Sequence, residues 1–177
     1  SQQIFHHHGG HCTLEITIKG YPAHSSKPYL GVSATHWLFE TWSVVREWEN
    51  WMNTQISPIV HTAPILNVAQ LNAGSAINIV PEHGKMRLGL RPMPGHDHTV
   101  LIANLEDRLQ EVQTTAKESG ASIELRIIQT AAPLYTPLPT LLEQSIQKIC
   151  PDTPCLGAPF ATDGGCLAEM GTSPLIW

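Results

Sequence analysis

Between residues 11 and 130, the spacing of apolar residues changes from every second residue to every third or fourth and back, and it does so twice. A spacing of two is typical of a strand with one buried face, and a spacing of three to four is typical of an amphipathic helix. The predicted elements are strand 12–18, helix 30–51, strand 64–71, strand 86–91, helix 99–118 and strand 123–127. This order predicts an α+β fold, the ferredoxin-like βαββαβ arrangement of two helices on one face of a four-stranded antiparallel sheet.

Turn and capping residues mark the ends of these elements. Gly20 and Pro22 follow the first strand, and Gly120 follows the second helix. Asp97 is positioned to cap the second helix, and residues 82–84 are typical of a turn before the third strand. The edge strands of such a sheet are predicted to be available for pairing with a second copy.

After residue 131 the pattern changes to a different kind of domain. Three prolines between 133 and 139 predict a linker. The predicted elements that follow are a helix over 141–150, a loop or short strand over 151–157, a helix over 162–171 and a buried strand over 174–177. We therefore expect two domains, 11–130 and a partial α/β domain over 131–177.

Three consecutive histidines, His6, His7 and His8, lie in a segment, 4–10, that is predicted to be a loop. Zinc ligands usually converge from separate positions, and neighbouring side chains on an extended chain point to opposite sides. We therefore favour solvated turn histidines over a metal site. Trp48 and Trp51 end the first predicted helix, where either core packing or a protein interface would account for them.

Composition excludes several classes of function. The net charge is −5 with only 10 Lys and Arg, so the chain has no basic surface for nucleic acid. Hydrophobic residues make up 42% and charged residues 14%, which favours a folded core. The sequence has no apolar run long enough to span a membrane and no secretory signal, and its four cysteines form no C-x-x-C pair. We expect a cytoplasmic protein and, because Ser1 replaces a starting Met and Trp177 ends an apolar run, a fragment of a longer chain.

The polar residues that remain at the predicted strand ends are His24, Asn78 and Arg91. Nucleophile-elbow, P-loop and H-E-x-x-H motifs are not present. An imidazole can donate a hydrogen bond to a developing oxyanion, an arginine can clamp a carboxylate, and an asparagine amide can fix its orientation. The three together suit an anionic small molecule that carries an amide. A turn asparagine and a solvated strand arginine are the alternatives for Asn78 and Arg91.

Four motifs occur in an order and spacing that resemble the zinc-dependent aminoacylase and carboxypeptidase family, which includes acetylornithine deacetylase and succinyl-diaminopimelate desuccinylase. The motifs are Ala23-His24-Ser25-Ser26-x-Pro28-x-x-Gly31, Gly74-x-x-x-Asn78-x-Val80-Pro81, Leu90-Arg91-Pro92-x-Pro94-Gly95 and Thr162-Asp163-Gly164. The resemblance implies a metal-dependent amidohydrolase that deacylates N-acyl amino acids. In it, 11–130 is the lid or dimerisation domain and 131–177 returns into the catalytic domain.

The resemblance also implies a role for each site residue. His24 stabilises the tetrahedral intermediate, usually in the active site of the partner subunit, and Asn78 and Arg91 bind the substrate carboxylate. The residues that line the pocket are Thr162, Asp163, Gly164 and Gly165.

Zinc or cobalt is expected to be held by residues outside this chain, because the family's metal ligands and glutamate base lie outside these motifs. The chain alone is therefore expected to be inactive, and the whole protein is expected to be a homodimer that uses the sheet edge and the first helix. The alternative is a non-catalytic ferredoxin-like module for dimerisation or small-molecule binding.

Overall fold

Two β-sheets form within residues 2–177, which the computed structural model describes. The strands are β1 Ile4–His8, β2 His11–Lys19, β3 Ile65–Ala73, β4 His83–Arg91, β5 Ser122–Ala131, β6 Leu134–Tyr135 and β7 Cys155–Ala158. The helices are α1 Ala34–Met52, α2 His98–Glu118, α3 Leu141–Ile149 and α4 Gly164–Glu169. The larger sheet has the order β3-β4-β2-β5 and the smaller one has the order β6-β1-β7.

The larger sheet confirms the predicted βαββαβ fold. Its neighbouring strands are all antiparallel, and α1 and α2 pack on one face. Alternation explains which face is buried, because every second residue of β2 and β4 points towards the helices. The fully buried side chains of this core include Leu14, Ile16, Met86, Leu88, Leu105 and Leu109.

The other face of the sheet is polar, and Glu15 lies near its centre. Its carboxylate accepts a hydrogen bond from Arg87 Nε at 2.7 Å and lies 3.2 Å from Lys85 Nζ. The hydrogen bonds from Arg87 and Lys85 hold the pKa of Glu15 below its ordinary value. The uncovered face is therefore cross-linked by ion pairs between β2 and β4.

Capping residues set the starts of both long helices. Residues 28–30 form a separate 3₁₀ turn, and Ser33 Oγ then accepts a hydrogen bond from His36 N, so α1 begins later than predicted. The Asp97 carboxylate accepts a hydrogen bond from Thr99 N at 2.8 Å, which confirms its predicted capping role. No helix of residues 2–177 combines the length and the apolar composition that a membrane crossing needs.

The loop predicted over 4–10 is wrong, because Ile4–His8 is the central strand of the smaller sheet. It pairs with β6 and β7, which are distant in sequence, so no local alternation reveals it. His8 is buried rather than solvated. The turn predicted over 82–84 is also misplaced, because His83 and Gly84 begin β4.

An interface role for Trp48 is wrong, because its side chain is fully buried and its Nε1 donates a hydrogen bond to Leu101 O at 3.0 Å. Trp51 is half-buried, packs against the same core, and has the Arg108 guanidinium over its ring. The buried strand predicted over 174–177 is reduced to one bridge, between Ile176 and Phe5, and Trp177 is exposed.

Candidate functional site

The loop that carries His24 is closed by backbone contacts at its base. Tyr21 and Val32 exchange two backbone hydrogen bonds of 2.9 and 2.8 Å. Gly20 lies so close to the Val32 carbonyl that a Cβ at this position would overlap it. Residue 20 must therefore be glycine for the two segments to approach so closely. Because its base is closed in this way, the His24 loop leaves the sheet in a fixed direction.

A second loop holds Asn78 beside His24. Ser25 N donates to Asn78 O at 2.9 Å, and Val80 N donates to Ala23 O at 2.8 Å. These bonds form a short bridge between two segments that are far apart in sequence. The structure therefore brings His24 and Asn78 together, and both are exposed to solvent.

The His24 ring is oriented by Ser26. Ser26 N donates to His24 Nδ1 at 3.2 Å, and Ser26 Oγ lies 2.9 Å from the same nitrogen. Because Nδ1 accepts a hydrogen bond, the proton of the neutral ring lies on Nε2. That N–H makes no hydrogen bond within residues 2–177, so it can donate to a group outside the chain.

Arg91 ends β4 at the opposite end of the sheet, next to Ile65 at the start of β3. It lines two neighbouring cavities of about 270 and 460 Å³, and the larger one also contains Thr162 and Asp163. Its guanidinium makes no ion pair within residues 2–177. The cation is therefore available to an anionic ligand.

The segment that contains Thr162 is fixed to β1 through His8. His8 Nδ1 donates to Gly9 O at 2.8 Å, and its Nε2 accepts a hydrogen bond from Thr162 N at 3.2 Å. Gly164 and Gly165 are buried, and a Cβ on Gly165 would overlap the Ala132 carbonyl. Thr162 and Asp163 face the cavity, whereas Gly165 allows α4 to pack closely.

These two groups of residues lie at opposite ends of one strand. Gly20, at the base of the His24 loop, bonds to Glu82, which precedes β4, and Arg91 is the last residue of β4. At about 3.4 Å per residue, the nine-residue strand spans roughly 27 Å. One small molecule cannot contact both groups within one chain, so the predicted cluster of His24, Asn78 and Arg91 is not formed by a single copy.

The smaller of the two Arg91 cavities is also lined by residues that were predicted from the sequence to lie in a solvent-exposed loop. His7 and His8 line the smaller cavity together with Arg91 and Gly157. Only the pairing of β1 with β7 brings them there, and that pairing leaves no local signal. Within residues 2–177, no group of three or more His, Cys, Asp or Glu side chains is arranged to hold a metal ion.

These features define an α+β domain with an open edge strand and an exposed histidine loop, joined to a smaller sheet of three strands. Residues 6–116 match the M20 peptidase dimerisation domain. The chain belongs to this peptidase dimerisation domain family.

Its curated relatives include acetylornithine deacetylases. The enzyme of Pectobacterium carotovorum subsp. carotovorum (strain PC1) is 30% identical over 107 residues, which are 59% of this chain and 28% of that protein. The enzyme of Proteus mirabilis (strain HI4320) is 28% identical over 119 residues, 66% of this chain and 30% of that protein. The matches thus cover less than a third of either relative.

Solved structures share the fold over almost the whole chain. A tripeptidase from Staphylococcus aureus subsp. aureus Mu50 superposes with a TM-score of 0.67 at 17% identity and covers 98% of this chain and 44% of that one. The aminopeptidase PepT from Bacillus cereus ATCC 10987 gives 0.66 at 18% identity over 98% of this chain and 44% of that one. At these identities the similarity establishes the fold alone.

Proposed function

We propose that this chain is part of a metal-dependent amidohydrolase that deacylates N-acyl amino acids, as an acetylornithine deacetylase does. Residues 11–130 would be its lid and dimerisation domain, and 131–177 would belong to its catalytic domain. The family match and the acetylornithine deacetylase relatives support this proposal. The observation that carries it is the division of the polar residues into two half-sites, at opposite ends of one sheet.

A two-fold dimer through β3 would join these half-sites. β3 is an edge strand, and two copies related by a two-fold axis pair such strands antiparallel. The Ala73 end of one β3 then lies beside the Ile65 end of the other, and Ile65 neighbours Arg91. The loops that carry His24 and Asn78 would therefore reach the Arg91 cavity of the second copy.

Exposed apolar residues lie along the β3 edge and the neighbouring helix. α1 packs beneath β3 and β4, on the same side of the domain as the β3 edge. Leu71 lies opposite Met86, on the helix-covered side of β3, yet 44% of it is exposed. Phe39 on α1 is 61% exposed. A Leu71→Lys change is expected to weaken the dimer in sedimentation equilibrium, and an unchanged mass would count against this interface.

The hydrogen-bond donors of His24, Asn78 and Arg91 suggest a role for each residue in the proposed hydrolysis. His24 would donate from Nε2 to the oxyanion of the tetrahedral intermediate, and Asn78 would contact the same substrate. Arg91 of the other copy would hold the substrate carboxylate in a bidentate clamp, beside Thr162 and Asp163. Water exclusion by the two joined surfaces would strengthen these contacts.

Zinc or cobalt would have to be held by other parts of the whole protein, because the described residues form no metal site. Such a metal, when bound, polarises an amide carbonyl and lowers the pKa of a bound water. The proposed roles of His24, Asn78 and Arg91 do not depend on a metal ligand from residues 2–177.

The test is hydrolysis of N-acyl amino acids by the whole protein in which this chain occurs. Turnover is expected with added zinc or cobalt, with loss in a chelator and recovery when metal is restored. The 177-residue chain alone is expected to show no turnover. The metal-loaded dimer failing to hydrolyse any N-acyl amino acid would contradict the proposal.

A further inference from the structure

The histidines of β1 form a hydrogen-bonded series that starts at a backbone carbonyl. His6 Nδ1 lies 3.2 Å from Thr136 O, and His7 Nδ1 lies 3.1 Å from His6 Nε2. Because a carbonyl only accepts, a neutral His6 ring carries its proton on Nδ1 and accepts at Nε2. His7 must then donate from its own Nδ1, which leaves His7 Nε2 as a hydrogen-bond acceptor.

That acceptor belongs to the wall of the Arg91 cavity. His7, Gly157 and Arg91 all line the cavity of about 270 Å³. A Cβ on Gly157 would overlap His7 Nε2, so the ring occupies the space that the missing side chain leaves. His7 Nε2 has no partner within residues 2–177 and is not among their buried unpaired polar atoms, so it is open to solvent.

The surroundings favour a neutral ring. Burial, and then the nearby His6 and His8, lower the pKa of His7 from its ordinary value. A neutral ring keeps the Nε2 lone pair at pH 7 and cannot repel a cation. The cavity therefore offers an anion-binding group, Arg91, and a separate neutral acceptor, His7.

We propose that His7 is a substrate-positioning residue, which accepts a hydrogen bond from a donor on the amino-acid side chain while Arg91 holds the carboxylate. The ligand class is an N-acyl amino acid whose side chain ends in an ammonium or another N–H donor. This inference rests on the proposed function and adds to it the basis for selecting among side chains.

The test compares N-acetylornithine with N-acetylnorleucine, in which a methyl group replaces the side-chain ammonium. In the whole metal-loaded protein, His7→Ala is expected to raise KM for N-acetylornithine about tenfold, the equivalent of roughly 1.4 kcal/mol for one lost hydrogen bond. The KM for N-acetylnorleucine and both kcat values are expected to stay within about twofold. His7→Gln, which keeps an acceptor, is expected to restore most of the difference.

Gly157→Ala provides a second variant, because its methyl group would displace the His7 ring without removing it. It is expected to reproduce the selective loss for N-acetylornithine. Equal changes for both substrates, in both variants, would overturn the role of His7. Calorimetric titration of ornithine and norleucine separates the two proposals. If the wild-type protein hydrolyses neither N-acetylornithine nor N-acetylnorleucine, the proposed function fails. Weaker binding of ornithine by His7→Ala than by wild type would still support the positioning role.

Discussion

The two ends of the larger sheet are built in different ways. At one end, the loops of His24 and Asn78 are held by backbone hydrogen bonds and a close glycine contact, and their side chains are exposed. At the other end, Arg91 lies in cavities lined by β1, β4 and the 157–163 segment. The first end presents donors outward, and the second borders two cavities. In the proposed dimer, the first end would provide residues to a site that the second end of the other copy contains.

Removing the exposed donor is expected to have the largest effect. In the whole protein, His24→Ala is expected to lower kcat by about 10²–10³ with a small change in KM, because an oxyanion donor acts mainly in the transition state. Steady-state kinetics on N-acetylornithine measure it. His36→Ala is the matched control, an exposed histidine on α1 that lines neither of the Arg91 cavities. A kcat for His24→Ala within twofold of the control would remove His24 from the reaction.

Changing the cation that lines the two cavities, Arg91, is expected to have a smaller effect of a different kind. Arg91→Lys keeps the charge but loses bidentate geometry, so KM is expected to rise by about tenfold while kcat changes less. Arg87→Lys is the control, because Arg87 lies on the same strand and pairs with Glu15 on the open face. If the two variants raise KM equally, Arg91 does not bind the substrate.

The smallest effect is expected between the two ends, at Glu15. Its lowered pKa means that it stabilises the fold above its ordinary pKa of 4.5 and loses that contribution as the pH falls through the lower folded value. Glu15→Gln is expected to lower the unfolding free energy by less than about 1 kcal/mol at pH 7, because Lys85 and Arg87 are partly exposed. Urea unfolding of wild type and Glu15→Gln, at pH 7 and again at a pH below the folded pKa of Glu15, measures this difference in free energy. The difference from wild type should vanish in acid, and a difference that persists there would contradict the ion-pair explanation.

The sequence predicts the larger sheet well because its elements carry their own periodicity. β2 and α2 match the predicted strand and helix closely, and the Asp97 cap is correct. β1 could not be predicted, because three histidines give no alternation and its partners, β6 and β7, are distant in the chain. Trp48 was ambiguous because a buried indole with a distant backbone acceptor has the same sequence pattern as an exposed one.

The candidate site was predictable as a set of residues but not as a geometry. The motifs select His24, Asn78, Arg91 and Thr162, yet spacing alone does not show which of them meet. The bridge between the His24 and Asn78 loops and the cavity shared by Arg91 and Thr162 are both contacts between distant segments. His7 was predicted to be a solvated turn histidine for the same reason, since only the β1–β7 pairing places it in the smaller Arg91 cavity.

The central claim is that His24 and Arg91 act in one site only when they come from different copies. Mixing His24→Ala with Arg91→Ala protomers under exchange conditions tests it directly. Half of the dimers formed are then mixed, and each mixed dimer holds one intact site, so activity is expected to recover to about a quarter of wild type from two nearly inactive proteins. If both residues served the same copy's site, every site would lack one of them, and activity no higher than that of the separate variants would contradict the account.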